Sequence, residues 1–188
     1  MMDYKRLDYI KNVTDQGNET ERAYPEYPIG AYFRLNFKRR ESTRVVESHA
    51  HKLPKGSLII LSQVPHKCKN DITGEQKKIP DGCNKRYLTH VVELVNEGSE
   101  DEPQWVNDRW GIFRWVKVHW IADLRNWNSI PVDKEVMRAE WGCYNTCAKS
   151  LSKVQLLKKQ WKDDEHDEQW MNKLREHLIE KLNLEAVN

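Results

Sequence analysis

Hydrophobic and polar positions alternate strictly along "YFRLNF". Phe33, Leu35 and Phe37 fall on one side, and Tyr32, Arg34 and Asn36 on the other. A period of two marks a half-buried strand. "PKGSLIILSQV" is a proline–glycine turn leading into an apolar run, and "YLTHVVELVNEG" is β-branched and apolar; both predict central strands. "WGIFRWVKVHWIADL" predicts a fourth, with Val116, Val118 and Trp120 on one face. Between them, "RRESTRVVESHAHKL" is polar and predicts a short helix or a loop. Residues 64–86 form a long basic loop, and 125–149 have no regular pattern.

From Ser150 the period changes. Leu151, Val154, Leu157 and Trp161, then Trp170, Leu174, Leu178 and Leu182, recur at helical spacing, with Ser150 or Ser152 as N-cap. "KDDEHDE" divides this stretch into two helices and reads as a solvated junction. The helices either pack on the sheet or form a stalk to another domain or chain. Residues 1–28 read as a polar lead-in that ends at the prolines of "YPEYP". The sum is an α+β chain with a β-rich domain over 29–149 and a helical segment over 150–188.

Composition narrows the function classes. The chain has 188 residues, enough for one domain with a real core. Its net charge of +2 supplies no global basic field, so a nucleic-acid footprint would have to be local. No apolar run is long enough to span a bilayer, and the N-terminus lacks the apolar core of a signal peptide, so a cytoplasmic protein is expected. Cys68, Cys83, Cys143 and Cys147 include no Cys-x2-Cys pair, and reduced thiols rather than a zinc site are expected. His49 and His51 read as solvated, and His90 as a structural histidine. No phosphate loop, nucleophile elbow or paired-carboxylate set is present, so no catalysis, cofactor or metal is expected.

The tryptophans fit no simple pattern. Trp105, Trp110, Trp115 and Trp120 fall at intervals of five, which flips parity along a strand, so they cannot form one core stripe. In an unbroken strand Trp110, Ile112, Arg114, Val116, Val118 and Trp120 share one face, and Gly111, Phe113, Trp115, Lys117 and His119 the other. Trp115, Trp120 and Trp127 read most simply as packing residues. Trp105 precedes the strand in a loop with Asn107 and Asp108, and Trp110 opens the strand. Two such indoles are either core or the walls of a slot that suits a flat or methylated base.

"WVNDRWGIFRWVKVHWIADLRNWNSIP" resembles the corresponding stretch of YTH domains, which read N6-methyladenine in RNA. It has two tryptophans five apart, then a glycine, a phenylalanine, a valine and a Trp-Ile pair (Trp105, Trp110, Gly111, Phe113, Val118, Trp120, Ile121). "YFRLNFKRR", "LPKGSLIILSQ" and "YLTHVVELVNEG" resemble strands of the related EVE and PUA-like domains. The resemblance covers residues 30–150 in pieces. It implies a small open β-barrel of PUA/EVE/YTH type with flanking and C-terminal helices, and a modified base flipped into an aromatic cage. On that basis Trp105 and Trp110 would be cage walls and Asn36 would hydrogen-bond the base edge. Lys38, Arg39 and Arg40 would contact phosphate, joined by Lys67, Lys69, Lys77, Lys78 and Lys85 of the basic loop. YTH domains bring a further cage tryptophan after the first strand, whereas this chain has none between residues 41 and 60; either Phe37, His49 or His51 would stand in, or the pocket would be open on that side. 5-Methylcytosine or a bulkier modified cytosine is therefore an alternative ligand. Relatives serve as target readers in McrB-type and other modification-dependent restriction systems, which implies DNA as the polymer and a nuclease or NTPase module as partner. Two further readings stand beside this one. One is a PUA- or ASCH-like enzyme acting on RNA or a nucleoside through Lys38, His49 or Glu93. The other is a protein-interaction domain whose tryptophans are all core.

Overall fold

A computed structural model of the chain describes residues 3–13, 27–37, 45–63, 85–100, 112–141, 147–164 and 166–184, without the side chains of 45–48, 112 and 127. It is an α+β fold built on a six-stranded sheet curled into a half-barrel. The strands are β1 (Leu7–Val13), β2 (Tyr32–Phe37), β3 (Leu58–Gln63), β4 (Tyr87–Leu94), β5 (Ile112–Ile121) and β6 (Ala148–Ser150). Their order across the sheet is β2-β5-β4-β3-β1-β6. Only the β1–β3 pair is parallel among the described ladders. The α-helices among the described residues are α1 (Val45–Lys52), α2 (Asp133–Met137), α3 (Gln155–Trp161) and α4 (Trp170–Lys181).

Three bulges curl the sheet, because each adds a residue to one strand and sharpens its twist. In β1, Leu7 pairs with Leu58 and Tyr9 with Ile59, leaving Asp8 as the extra residue. In β4, His90 pairs with Leu61 and Leu88 with Ser62, leaving Thr89. In β5, Val118 pairs with Val92 and Trp120 with Val91, leaving His119.

The third bulge corrects the expectation of one continuous face. Val116 and Val118 belong to the core inside the curl, with Phe33, Leu35, Phe37, Ile59, Leu61, Val92 and Leu94. Trp120, past the bulge, enters the second core, outside the curl. There Leu58, Ile60, Leu88 and Val91 meet Trp141, Leu157, Trp161, Trp170, Leu174 and Leu178. The C-terminal helices therefore pack on the sheet and are not a stalk. α1 and the turn after it close the inner core through Ala50 and Leu53.

The amino-terminal stretch differs from a polar lead-in: β1 is an internal strand between β3 and β6. What hides it in the sequence is Lys11, a lysine in the middle of a buried strand. It is 1% exposed, its ammonium lies 4.7 Å from the Phe37 ring centroid, and it donates to the Asn12 carbonyl at 3.4 Å. Ser150 and Ser152 do not cap α3. Ser150 is held extended in β6 against Tyr9, and the N-cap is Val154, with no side-chain capping bond. "KDDEHDE" is the junction between α3 and α4, where Lys173 bridges Asp163 and Asp167.

Candidate nucleic-acid interface

β2 lies at one edge of the sheet, with its apolar side chains turned inward. Tyr32, Arg34 and Asn36 therefore project from the outer face. Its register with β5 sets Tyr32 opposite Lys117, Arg34 opposite Trp115 and Asn36 opposite Phe113. Each rung pairs an aromatic ring with a cation or an amide. The Arg34 guanidinium carbon lies 5.3 Å from the Phe113 ring centroid, and Lys117 Nζ lies 6.0 Å from that of Tyr32. Tyr32 is 58% exposed and Trp115 47%. Among the described residues, no helix packs on this area. The helices cover β1, β3, β4 and the Trp120 end of β5, and the bulge at His119 divides the covered part of β5 from the uncovered part.

The backbone beneath the rings is fixed. Asn96 Oδ1 accepts from the Trp115 amide at 3.0 Å. Glu93 stands opposite Lys117 on this side and is engaged by His119 Nε2 at 2.7 Å. The described outer surface of β2–β5 thus carries rings and positive charge, an arrangement that stacks on planar groups and attracts anions.

Of the residues singled out from sequence, Asn36 is on this face, half-buried, next to the Phe113 ring. Phe37 points the other way, is fully buried, and packs under the Lys11 ammonium. Trp105, Trp110, Lys38, Arg39, Arg40, Lys67, Lys69, Lys77 and Lys78 lie outside the described residues. Phe37 pairs with Ile112, and Trp110 stands two positions before Ile112 in the sequence. Lys85 lies on another surface, 3.6 Å from Glu135 of α2. Trp115 corrects its reading as a packing residue: it is an exposed ring. The signal was its parity, since it alternates with Val116 on a strand with one apolar face.

No family model, curated protein or solved structure matches this chain.

His49 and Glu93, two of the acid–base candidates, are on opposite sides of the sheet. α1 packs against the inner core, where His49 Nε2 meets the Ala148 carbonyl. Glu93 lies between Val92 and Leu94, whose side chains point inward, so its own points outward. Lys38, the third candidate, is outside the described residues. Cys147 is buried, and no cluster of three or more His, Cys, Asp or Glu occurs among the described residues. No helix among the described residues is long and apolar enough to cross a membrane.

A second concavity, between α2 and α4, is lined by Lys85, Tyr87, Arg138, His177 and Lys181. Arg138 adopts a left-handed backbone (φ 55°) and lays its guanidinium 4.7 Å from the Trp161 ring centroid. His177 sits 5.0 Å from the same indole. Burial, and then the charges of Arg138 and Lys181, hold its pKa below the ordinary histidine value, with Glu180 opposing them weakly. Protonation of His177 is therefore less favourable in the folded than in the unfolded chain. The stability this confers is complete above about pH 6.5 and is lost as pH falls through the lowered native pKa. Thermal melts should show a loss of stability between neutral pH and pH 5 that His177→Gln reduces. An identical pH profile in the variant would contradict this.

Proposed function

We propose that this chain is a binding module that recognises a modified base in nucleic acid, with methylated DNA as the target, and has no catalytic role of its own. In this reading the half-barrel is of the PUA/EVE/YTH kind. Trp105 and Trp110 form the walls of an aromatic cage, and Asn36 bonds the base edge. Lys38, Arg39, Arg40, Lys67 and Lys69 neutralise phosphates. A nuclease or NTPase module of a cytoplasmic restriction system would act on the target so marked. The observation that carries the reading is the pairing of Asn36 with Phe113. It puts a half-buried amide, its Oδ1 out of contact with solvent, beside an aromatic ring of β5, the strand that follows Trp110 in the sequence.

The test is an oligonucleotide panel carrying N6-methyladenine, 5-methylcytosine and 5-hydroxymethylcytosine, each in single and double strands beside unmodified controls. One modification should bind more tightly than its control. Trp105→Ala and Trp110→Ala should each weaken that binding by about 1–3 kcal/mol, the value of one stacked base, with the circular dichroism spectrum and melting point nearly unchanged. Equal affinity across the panel overturns the reading, and loss of fold in both variants means that these indoles are core.

A further inference from the structure

We propose that the concavity between α2 and α4 is a binding site for a small organic phosphate. Arg138, His177 and Lys181 hold the phosphate, and Tyr87, Ile130 and Pro131 receive the organic body. This is a second site, and it does not depend on the reading of a modified base.

The site is built around one indole. Trp161 is buried and donates from Nε1 to the Met137 carbonyl at 2.8 Å, which ties it to the end of α2. Arg138, the next residue, has the left-handed backbone that glycine usually supplies at a helix end. Its guanidinium carbon lies 4.7 Å from the Trp161 ring centroid, and the His177 ring lies 5.0 Å from it. Stacking occupies the face of a guanidinium and leaves its N–H edge to bind an anion. The Val136 carbonyl bonds one nitrogen of His177, so the other can serve a ligand. A guanidinium and an imidazole are thereby fixed around one ring before any ligand arrives, which lowers the entropy cost of binding.

Charge favours an anion. Lys85, Arg138 and Lys181 line the concavity together with one carboxylate, Glu135. Lys85 and Glu135 pair at 3.6 Å, so the positive excess rests on Arg138 and Lys181. Both stand at helix carboxyl ends, Arg138 after α2 and Lys181 in the last turn of α4. Each end offsets about half a charge, which leaves an excess of about one. Glu180 lines a separate hollow, with Lys5 and Arg175. Beyond burial, Arg138 and Lys181 disfavour protonation of His177 more than Glu180 favours it.

Size and donors select the class. The volume is about 630 Å³, within the range of roughly 300–1,000 Å³ for small-molecule sites and more than a bare ion needs. Guanidinium, imidazole and ammonium are three different donors. A phosphate monoester offers them three oxygens and nearly two charges, whereas a carboxylate offers two oxygens and one charge. The half-buried Tyr87 ring, with Ile130 and Pro131, adds an apolar wall to the same concavity.

The experiment titrates the full chain by calorimetry with phenyl phosphate, adenylate and inorganic phosphate, beside phenol, adenosine and citrate. At least one monoester should bind, more tightly than inorganic phosphate and at least about tenfold more tightly than its unphosphorylated parent or citrate. Arg138→Gln and Lys181→Gln should each weaken that binding about tenfold, the value of one hydrogen bond to a charged group. Both side chains are exposed, so the variants should keep the fold. The NMR resonances of the His177 ring, assigned through His177→Gln, should move during the titration. Five results would overturn the proposal: no monoester binding, equal binding of inorganic phosphate, equal binding of citrate, unchanged affinity in either folded variant, or His177 resonances that stay in place. An oligothymidylate without a terminal phosphate carries only diesters and should not displace the monoester. Displacement would overturn the proposal by making the concavity a nucleic-acid contact. Trp105→Ala should bind the monoester as the unaltered chain does, so failure of the cage leaves this site standing.

Discussion

Arg114→Met should lower the stability of the fold by about 3–5 kcal/mol, the largest effect expected of any single replacement outside the cores. Arg114 is fully buried although it is an arginine in the middle of a strand. Its Nη1 donates to the carbonyls of Ala50 and Leu53, the latter at 3.0 Å, at the end of α1. Its Nη2 donates to the Asn96 carbonyl, and its Nε to Asn96 Oδ1 at 3.4 Å. One guanidinium thus satisfies the helix-end carbonyls that have no partner within α1, and places a positive charge at the negative end of its dipole. Methionine fills much of the volume but leaves the buried Leu53 carbonyl without the guanidinium and the Ala50 carbonyl with only the long bond from the Leu53 amide at 3.3 Å, and it also removes the donor to the part-buried Asn96 carbonyl; a buried carbonyl left unsatisfied costs about 1–3 kcal/mol. Arg114→Lys should recover little, because an ammonium cannot reproduce the fork. Chemical denaturation would show the loss as a lower midpoint at an unchanged m-value. A midpoint like that of the unmodified protein would show that Arg114 does not hold α1 to the sheet.

The second large effect concerns Asp133, which joins α2 to the end of β3. Its Oδ2 accepts from Ser62 Oγ at 2.8 Å and from Trp141 Nε1 at 3.1 Å, and its Oδ1 accepts from the Lys134 amide at 2.6 Å. Its own amide donates to the Arg86 carbonyl at 2.9 Å. Arg86 returns to the same node, donating to Ser62 Oγ at 3.3 Å and to the Val13 carbonyl at 3.0 Å. Asp133→Leu leaves a buried hydroxyl and an indole N–H without an acceptor, and should cost about 2–4 kcal/mol. Asp133→Asn should fall between, since one amide oxygen can serve two donors but its NH2 then faces the Lys134 amide. In a double-mutant cycle with Ser62→Ala, the two losses should not add. Additive losses would mean that the two residues do not share a network.

The four strands with two-fold or continuous apolar patterns were legible because burial on one or both faces is written directly into such a pattern. β2 shows this best, with every second residue inside. The two C-terminal helical stretches were legible for the same reason at helical period. β1 was not, since its pattern is broken by the bulge at Asp8 and by a buried lysine whose Phe37 and backbone contacts come from other parts of the fold. β6 was not, because three residues carry no periodicity, and only the edge of β1 makes them a strand. The parity of Trp115 was legible; its exposure was not, because exposure depends on where the helices stop.

By itself, then, the sequence determined which residues alternate, where helical period begins, and that the tryptophans of β5 cannot share one role. Those are local properties, set by the geometry of a single strand or helix. Only the tertiary structure decided that Arg114 is inside, that His119 is a bulge separating Val118 from Trp120, and that Trp115 stands uncovered between Arg34 and Lys117. Each depends on register and coverage, which arise when segments distant in sequence share one sheet, and no local pattern encodes them.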